Sequence, residues 1–272
     1  MELAVTKQEI VQATRAERIR TLALLRGLEP AQWEIEALPR WRVREVAAHL
    51  ITIDRASVTG AIFPKILASS SEKLERWNDR VVGSYADRPI PELLIALDRW
   101  GRRVVSVVRA APAAALRVRV PTMWGKGPAG MFAWSRPFDE WVHRQDVRRA
   151  LGMADETADL AVVAGFVLAA AGTSVIPQLA GRAGSITVDL SDVPLPPWTA
   201  DLESGEAGLR QAGDAGSLVA PGPSATIRAP APVFVMTTAG RGTFRELEDG
   251  GTLTVDGDRE TADAFLSRLR VV

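Results

Sequence analysis

Phe138-Asp-Glu-Trp-Val-His-Arg-Gln-Asp-Val-Arg-Arg-Ala-Leu-Gly152 places Asp139 and His143 four residues apart. On a helix that spacing puts both side chains on one face. The chain has only two histidines, and the other, His49, lies in a second helical stretch, Trp41 to Arg55. There Val46, His49, Leu50 and Ile53 recur at helical spacing, so His49 faces the apolar, inward side. A three-ligand site built between helices from His49, Asp139 and His143 is therefore the working expectation. Imidazole and carboxylate suit zinc first, with nickel, iron or manganese as alternatives, and three protein ligands leave open positions for water or substrate. Glu140, three residues before His143, is an alternative carboxylate on the same face. Asp146, three residues after it, is placed to orient the imidazole. The same residues also fit a hydrogen-bonded core histidine and a solvated i,i+4 pair. The pattern alone leaves these readings open.

Outward from this stretch, helices dominate. Thr6-Lys7-Gln8-Glu9 is a capping box opening a helix to about Arg26, with Ile10, Thr14, Leu22 and Leu25 inside and Gly27 at its end. Glu29-Pro30 begins a short connector holding Trp33. The helix of His49 runs from about Val43 to Ile62, where Pro64 should stop or kink it. After a break at Ser69 to Ser71, helices are expected over 72–82 and, opened by Pro91, over 92–109. Val120 to Gly130 reads as a loop rich in Gly and Pro. Pro137 either lies in the first turn of a helix starting near Ser135 or kinks a longer one.

Beyond Gly152 the pattern changes. Leu160 to Leu179 is uncharged over its whole length. Its two glycines, Pro177 and lack of flanking Trp or Tyr argue for a buried helix over a membrane span. Short β-like runs follow at 185–190, 198–202, 225–229 and 252–256, with helical runs at 232–239 and 261–269. The expected fold is mainly α with α+β: a helical bundle over 1–153 and a small α+β domain over 154–272.

The 272 residues carry 24% charged and 47% hydrophobic side chains, an ordinary globular balance, with zero formal net charge. No electrostatic footprint for nucleic acid or anionic membrane appears. Cysteine is absent, which excludes disulfides, a thiolate nucleophile and cysteine-ligated metal from this chain; any thiol chemistry needs an external thiol. The N-terminal residues lack a signal-peptide pattern, so cytoplasmic residence is expected. The eight tryptophans are expected mostly in the core or lining a pocket. Walker A, G-x-S-x-G and dinucleotide-binding templates are missing.

Two segments resemble the signatures of a known family. Trp41-Arg-Val-Arg-Glu-Val-Ala-Ala-His49-Leu50 is similar to W-x-V-x-D-x-x-x-H-L, with Glu45 in the aspartate position. Asp139 to Asp146, closing in Ala-Leu-Gly152, is similar to E-x-x-x-H-x-x-D-x-x-x-A-x-G. The family is the mycothiol-dependent maleylpyruvate isomerase-like group of the DinB-like four-helix-bundle superfamily. The resemblance covers essentially the whole chain and implies a C-terminal domain resembling sterol carrier proteins. It implies that His49 and His143 are metal ligands, with Asp139 standing where the family usually has glutamate. It also implies an arginine from the C-terminal part near the site; Thr238-Ala-Gly-Arg241-Gly242 makes Arg241 the match, to hold a substrate carboxylate. The activity implied is metal-assisted addition of mycothiol or a similar small thiol to a small electrophilic, anionic substrate, as an isomerase or S-transferase. The other reading is a non-catalytic small-ligand-binding protein with a structural or vestigial metal site. No nucleic acid or membrane partner is expected, and the chain is expected as a monomer or homodimer.

Overall fold

The computed structural model describes residues 5–61, 71–158, 160–209 and 222–271. The chain divides into two compact units. One comprises Thr6–Leu116 and Phe132–Glu156; the other comprises Met1–Val5, Arg117–Met131 and Thr157–Val272. The division is thus discontinuous, where the sequence suggested one boundary after residue 153.

The first unit is a helical bundle. Helix α1 (Lys7–Arg26) starts at Thr6, whose hydroxyl accepts from the Glu9 amide while Glu9 returns the bond, and Gly27 caps its end. A 3₁₀ turn (Pro30–Glu34) seats the buried Trp33. A two-stranded hairpin, β1 (Glu36–Leu38) and β2 (Trp41–Arg42), precedes α2 (Val43–Thr59). At the start of α2, Glu45 accepts from the Arg42 amide at 2.8 Å, a capping role. Gly60 takes the left-handed conformation (φ 75°) and ends α2 three residues earlier than the hydrophobic pattern suggested. The stop expected from Pro64 and the break at Ser69 and Ser70 lie outside the described residues.

Helices α3 (Ser71–Ala86) and α4 (Ile90–Ala110, with Pro91 in its first turn) follow, then a single turn, α5 (Ala113–Arg117). Helix α6 (Gly130–Ala150) carries the opening stretch and keeps Pro137 inside it. The longer-helix alternative is therefore the one realised. Leu22, Leu25, Trp33, Val46, Leu50, Ile51, Val82, Tyr85, Leu93, Leu97, Trp100 and Val147 share one buried cluster. It joins α1, α2, α3, α4 and α6, each contributing the apolar positions of one face.

The second unit is α+β. The stretch read as a loop at 120–130 is largely an antiparallel hairpin, β3 (Arg119–Thr122) with β4 (Gly125–Pro128). Its turn lies against α7 (Leu160–Ser174): a Cβ on Gly125, at φ 89°, would meet the Thr173 carbonyl oxygen at 2.3 Å. Glycine is required there both by φ and by space. Helix α7 is buried along nearly all its length, and most of the apolar stretch Leu160–Leu179 lies inside the fold. That is the place of a core helix; a short α8 (Ile176–Leu179) follows it.

The five-stranded sheet has the order β7-β6-β5-β8-β9. Its strands are β5 (Ser185–Asp189), β6 (Trp198–Asp201), β7 (Glu206–Leu209), β8 (Ser224–Arg228) and β9 (Thr254–Gly257). Only β5 and β8 pair in parallel; the other pairs are antiparallel. Helices α9 (Ala231–Thr238), α10 (Phe244–Asp249) and α11 (Arg259–Leu266) complete the unit. Strand β7 and helix α10 have no counterpart in the sequence reading. Gly208 interrupts the β pattern of the first, and the second is only six residues long.

Candidate metal centre

Helix α6 is buried on almost every side from Gly130 to Val147 despite a composition rich in charge. Buried charge is tolerated best when paired, and charged groups buried on this helix are set in ion pairs. Glu140 is taken up by Arg18 of α1, which donates from Nε at 3.0 Å and from Nη2 at 2.6 Å. Arg144 is paired with Glu17, both fully buried. Asp139, one residue before Glu140, points elsewhere.

His49 of α2 and the pair Asp139 and His143 of α6 converge, so that one donor atom from each lies within 4.8 Å of the others. The His49 Nε2 is 3.5 Å from Asp139 Oδ1, and the His143 Nε2 is 3.6 Å from the same oxygen. The imidazole centroids are 4.6 Å apart, edge to face. Each ring is fixed from behind. The Nδ1 of His143 donates to Asp146 Oδ2 at 3.0 Å, and the Nδ1 of His49 donates to Asn78 Oδ1 at 2.9 Å. With both protons on Nδ1, both Nε2 atoms present lone pairs toward Asp139, the tautomer a metal requires.

The electrostatics agree with that arrangement. Burial pushes the Asp139 carboxyl up, yet the group lies well below the usual carboxylate range, held there chiefly by the Arg136 guanidinium beside it. Burial also pushes the His143 imidazole down, against the pull of Asp146, so the ring is kept neutral. An anionic carboxylate and a neutral His143 imidazole are the protonation states of metal ligands. The donor set, two imidazole nitrogens and one carboxylate oxygen, fits a divalent ion with open positions.

Of the two carboxylates offered by the sequence, the structure brings Asp139 to the histidines and holds Glu140 in the ion pair with Arg18. Asp146 stands where its spacing placed it. Arg241 belongs to the α+β unit, where its guanidinium donates to the Ala239 carbonyl in the turn after α9. Two neighbours were not singled out from the sequence for these contacts. Asn78 on α3 gives no signal in a polar helix. Trp41, at the end of the β1–β2 hairpin, lies 5.0 Å from the His49 ring and 6.3 Å from the His143 ring, half-buried over both.

Residues 14–148 match the sequence family described as the mycothiol maleylpyruvate isomerase N-terminal domain. No curated protein matches the chain. Among solved structures, the crystal structure of the mycothiol-dependent maleylpyruvate isomerase is similar, with a TM-score of 0.55 at 17% identity over 88% of this chain and 90% of that one. A histidine-to-alanine mutant of such an isomerase aligns with a TM-score of 0.52 at 17% identity, covering 93% of each chain. At that identity the likeness speaks for the fold, across both units. Through residues 14–148, which hold every member of the His49, Asp139 and His143 cluster, this chain belongs to the mycothiol maleylpyruvate isomerase N-terminal domain family.

Proposed function

We propose that the protein is a metal-dependent isomerase or S-transferase that uses mycothiol or a similar small thiol on a small, electrophilic, anionic substrate. The observation that carries this reading is the convergence of His49 Nε2, His143 Nε2 and Asp139 Oδ1 inside the family-matched region. The absence of cysteine from the whole chain agrees with a nucleophile brought from outside. Zinc suits the donor set first, with nickel, iron or manganese as alternatives. When bound, the metal would supply Lewis acidity that favours a thiolate at neutral pH, and the small thiol would supply the sulfur nucleophile that the chain lacks.

The chain's own groups then divide the remaining work. His49, Asp139 and His143 bind the ion. Asn78 and Asp146 keep both rings in the tautomer that binds. Trp41 shields the imidazole faces from water, which strengthens electrostatic contacts at the site. Arg241 is assigned, through the family resemblance, to the substrate carboxylate; Arg241→Ala should raise KM for an anionic substrate and leave metal content unchanged. The resemblance of the α+β unit to sterol carrier proteins remains part of this proposal.

Elemental analysis of the purified protein beside His143→Ala tests the first half of the reading. About one equivalent of a divalent metal in the parent, lost in the variant, is expected. No metal in the parent after incubation with zinc and with nickel would overturn it. Thiol-dependent turnover, lost in a folded His49→Ala variant, tests the second half. Metal binding without such turnover would leave a small-ligand-binding protein with a structural or vestigial ion.

A further inference from the structure

Charged groups of alternating sign form one hydrogen-bonded row through the interior of the bundle, and the row ends at Asp139. Glu140 stands at the far end, held by Arg18. The Arg18 Nη2 also donates to Asp54 Oδ2 at 2.7 Å. The other Asp54 oxygen accepts from Arg136 Nε at 3.0 Å, and Arg136 Nη1 donates to Asp139 Oδ2 at 2.9 Å. Asp139 Oδ1, left unclaimed by Arg136, is the oxygen that faces His49 and His143.

The side chains of Arg18, Asp54, Arg136 and Glu140 are at most 8% exposed. Their charges cancel, so the row carries a single net negative charge, located at Asp139. An aspartate has a short stem, and its two oxygens exchange places by rotation of the carboxylate. Fixing Oδ2 therefore fixes where Oδ1 points. A guanidinium can do this because its rigid fork donates to one carboxylate from Nε, with Nη2 in ion-pair range of it, and to another from Nη1; an ammonium group has no such fixed fork. Asp54 in turn neutralises Arg136, which would otherwise compete with a cation for the Asp139 charge.

We infer that Arg136, anchored on Asp54, is a positioning residue for Asp139 that turns Oδ1 toward the two imidazoles. The inference rests on the metal reading above. It is tested by titrating the full chain with cobalt(II), read by visible absorption, in the parent and in Arg136→Lys, Asp54→Asn, Asp139→Asn and the double variant Arg136→Lys/Asp139→Asn. Arg136→Lys is expected to bind cobalt about 10- to 100-fold more weakly than the parent, the usual effect of removing a partner that orients a ligand. In the Asp139→Asn background the same change should have almost no effect, because Arg136 acts through that carboxylate.

Equal affinity of Arg136→Lys and the parent would overturn the inference. So would a loss of the same size in both backgrounds, the mark of a merely structural role. Should Arg136→Lys fail to fold by circular dichroism, Asp54→Asn carries the test, and an unchanged affinity there is equally fatal. A parent chain that binds no cobalt sinks the metal reading itself, and this inference with it, an outcome distinct from the others.

Discussion

Asp146→Asn should keep the helix and its packing yet weaken metal binding about 10- to 100-fold, because the His143 Nδ1 proton loses its charged acceptor. Asn78→Leu should weaken binding through His49 in the same direction. Cobalt titration against unchanged far-UV circular dichroism checks both. At this scale the sequence was readable where spacing on one helix did the positioning: Asp139, His143 and Asp146 share a face of α6, and an inward histidine on α2 had few other partners. It was not readable where a partner came from a distant helix. Arg18, Asp54 and Arg136 look like ordinary helix charges in the sequence, and only the fold shows them lined up behind Asp139. For the same reason Asp139 and Glu140 could not be told apart. Successive positions differ by about 100° around the helix, enough to send one to the histidines and the other to Arg18.

Helix α4 meets α1 where Gly101 faces Arg18. A Cβ on Gly101 would lie 2.9 Å from Arg18 Nη1 and 3.0 Å from its Cζ. Arg18 is clamped by Glu140, Asp54 and the Leu97 carbonyl, so it has little freedom to move aside. Gly101→Ala should therefore cost about 1–3 kcal/mol, even though alanine is the better helix former. Urea unfolding checks it; an unchanged or raised midpoint would show that Arg18 can yield. Helix α1 offers a contrast, since Thr6→Ala removes only the cap and should cost about 1 kcal/mol. Element starts of this kind were legible because capping boxes and Pro91 are local signals. The hairpins were not. Strands β1 and β2 turn through Arg40 at φ 72°, a place where Gly or Asn would have announced the turn. Strands β3 and β4 are written in Gly and Pro, which read as loop.

At the scale of the molecule, the Glu17 carboxyl gives stability a pH dependence. Burial lifts it to about 7, despite Arg144 and Arg20 beside it, from about 4.5 when exposed. Between these values the folded chain retains a proton that the unfolded chain has released. This contribution to stability is therefore fully present below about 4.5 and is lost as pH rises to about 7. Its slope is at most about 1.4 kcal/mol per pH unit. Urea midpoints measured from pH 5 to 8 should fall through that window in the parent and show a shallower slope in Glu17→Gln. A parallel pair of curves would show that Glu17 stays ionised.

The bundle unit is assembled from two separate stretches of chain, and that fixes an order of events during synthesis. When Leu116 has been added, His49, Asn78 and Trp41 already exist, but Asp139 and His143 do not. Glu17 has no Arg144 to meet, and of its two carboxylate partners Arg18 has only Asp54. At about 5–20 residues per second, helix α6 follows a few seconds later, after the β3–β4 hairpin. Until then the first helices hold charges that a closed bundle could not bury alone. The nascent chain therefore has reason to stay open until the helix bearing the last two candidate ligands arrives.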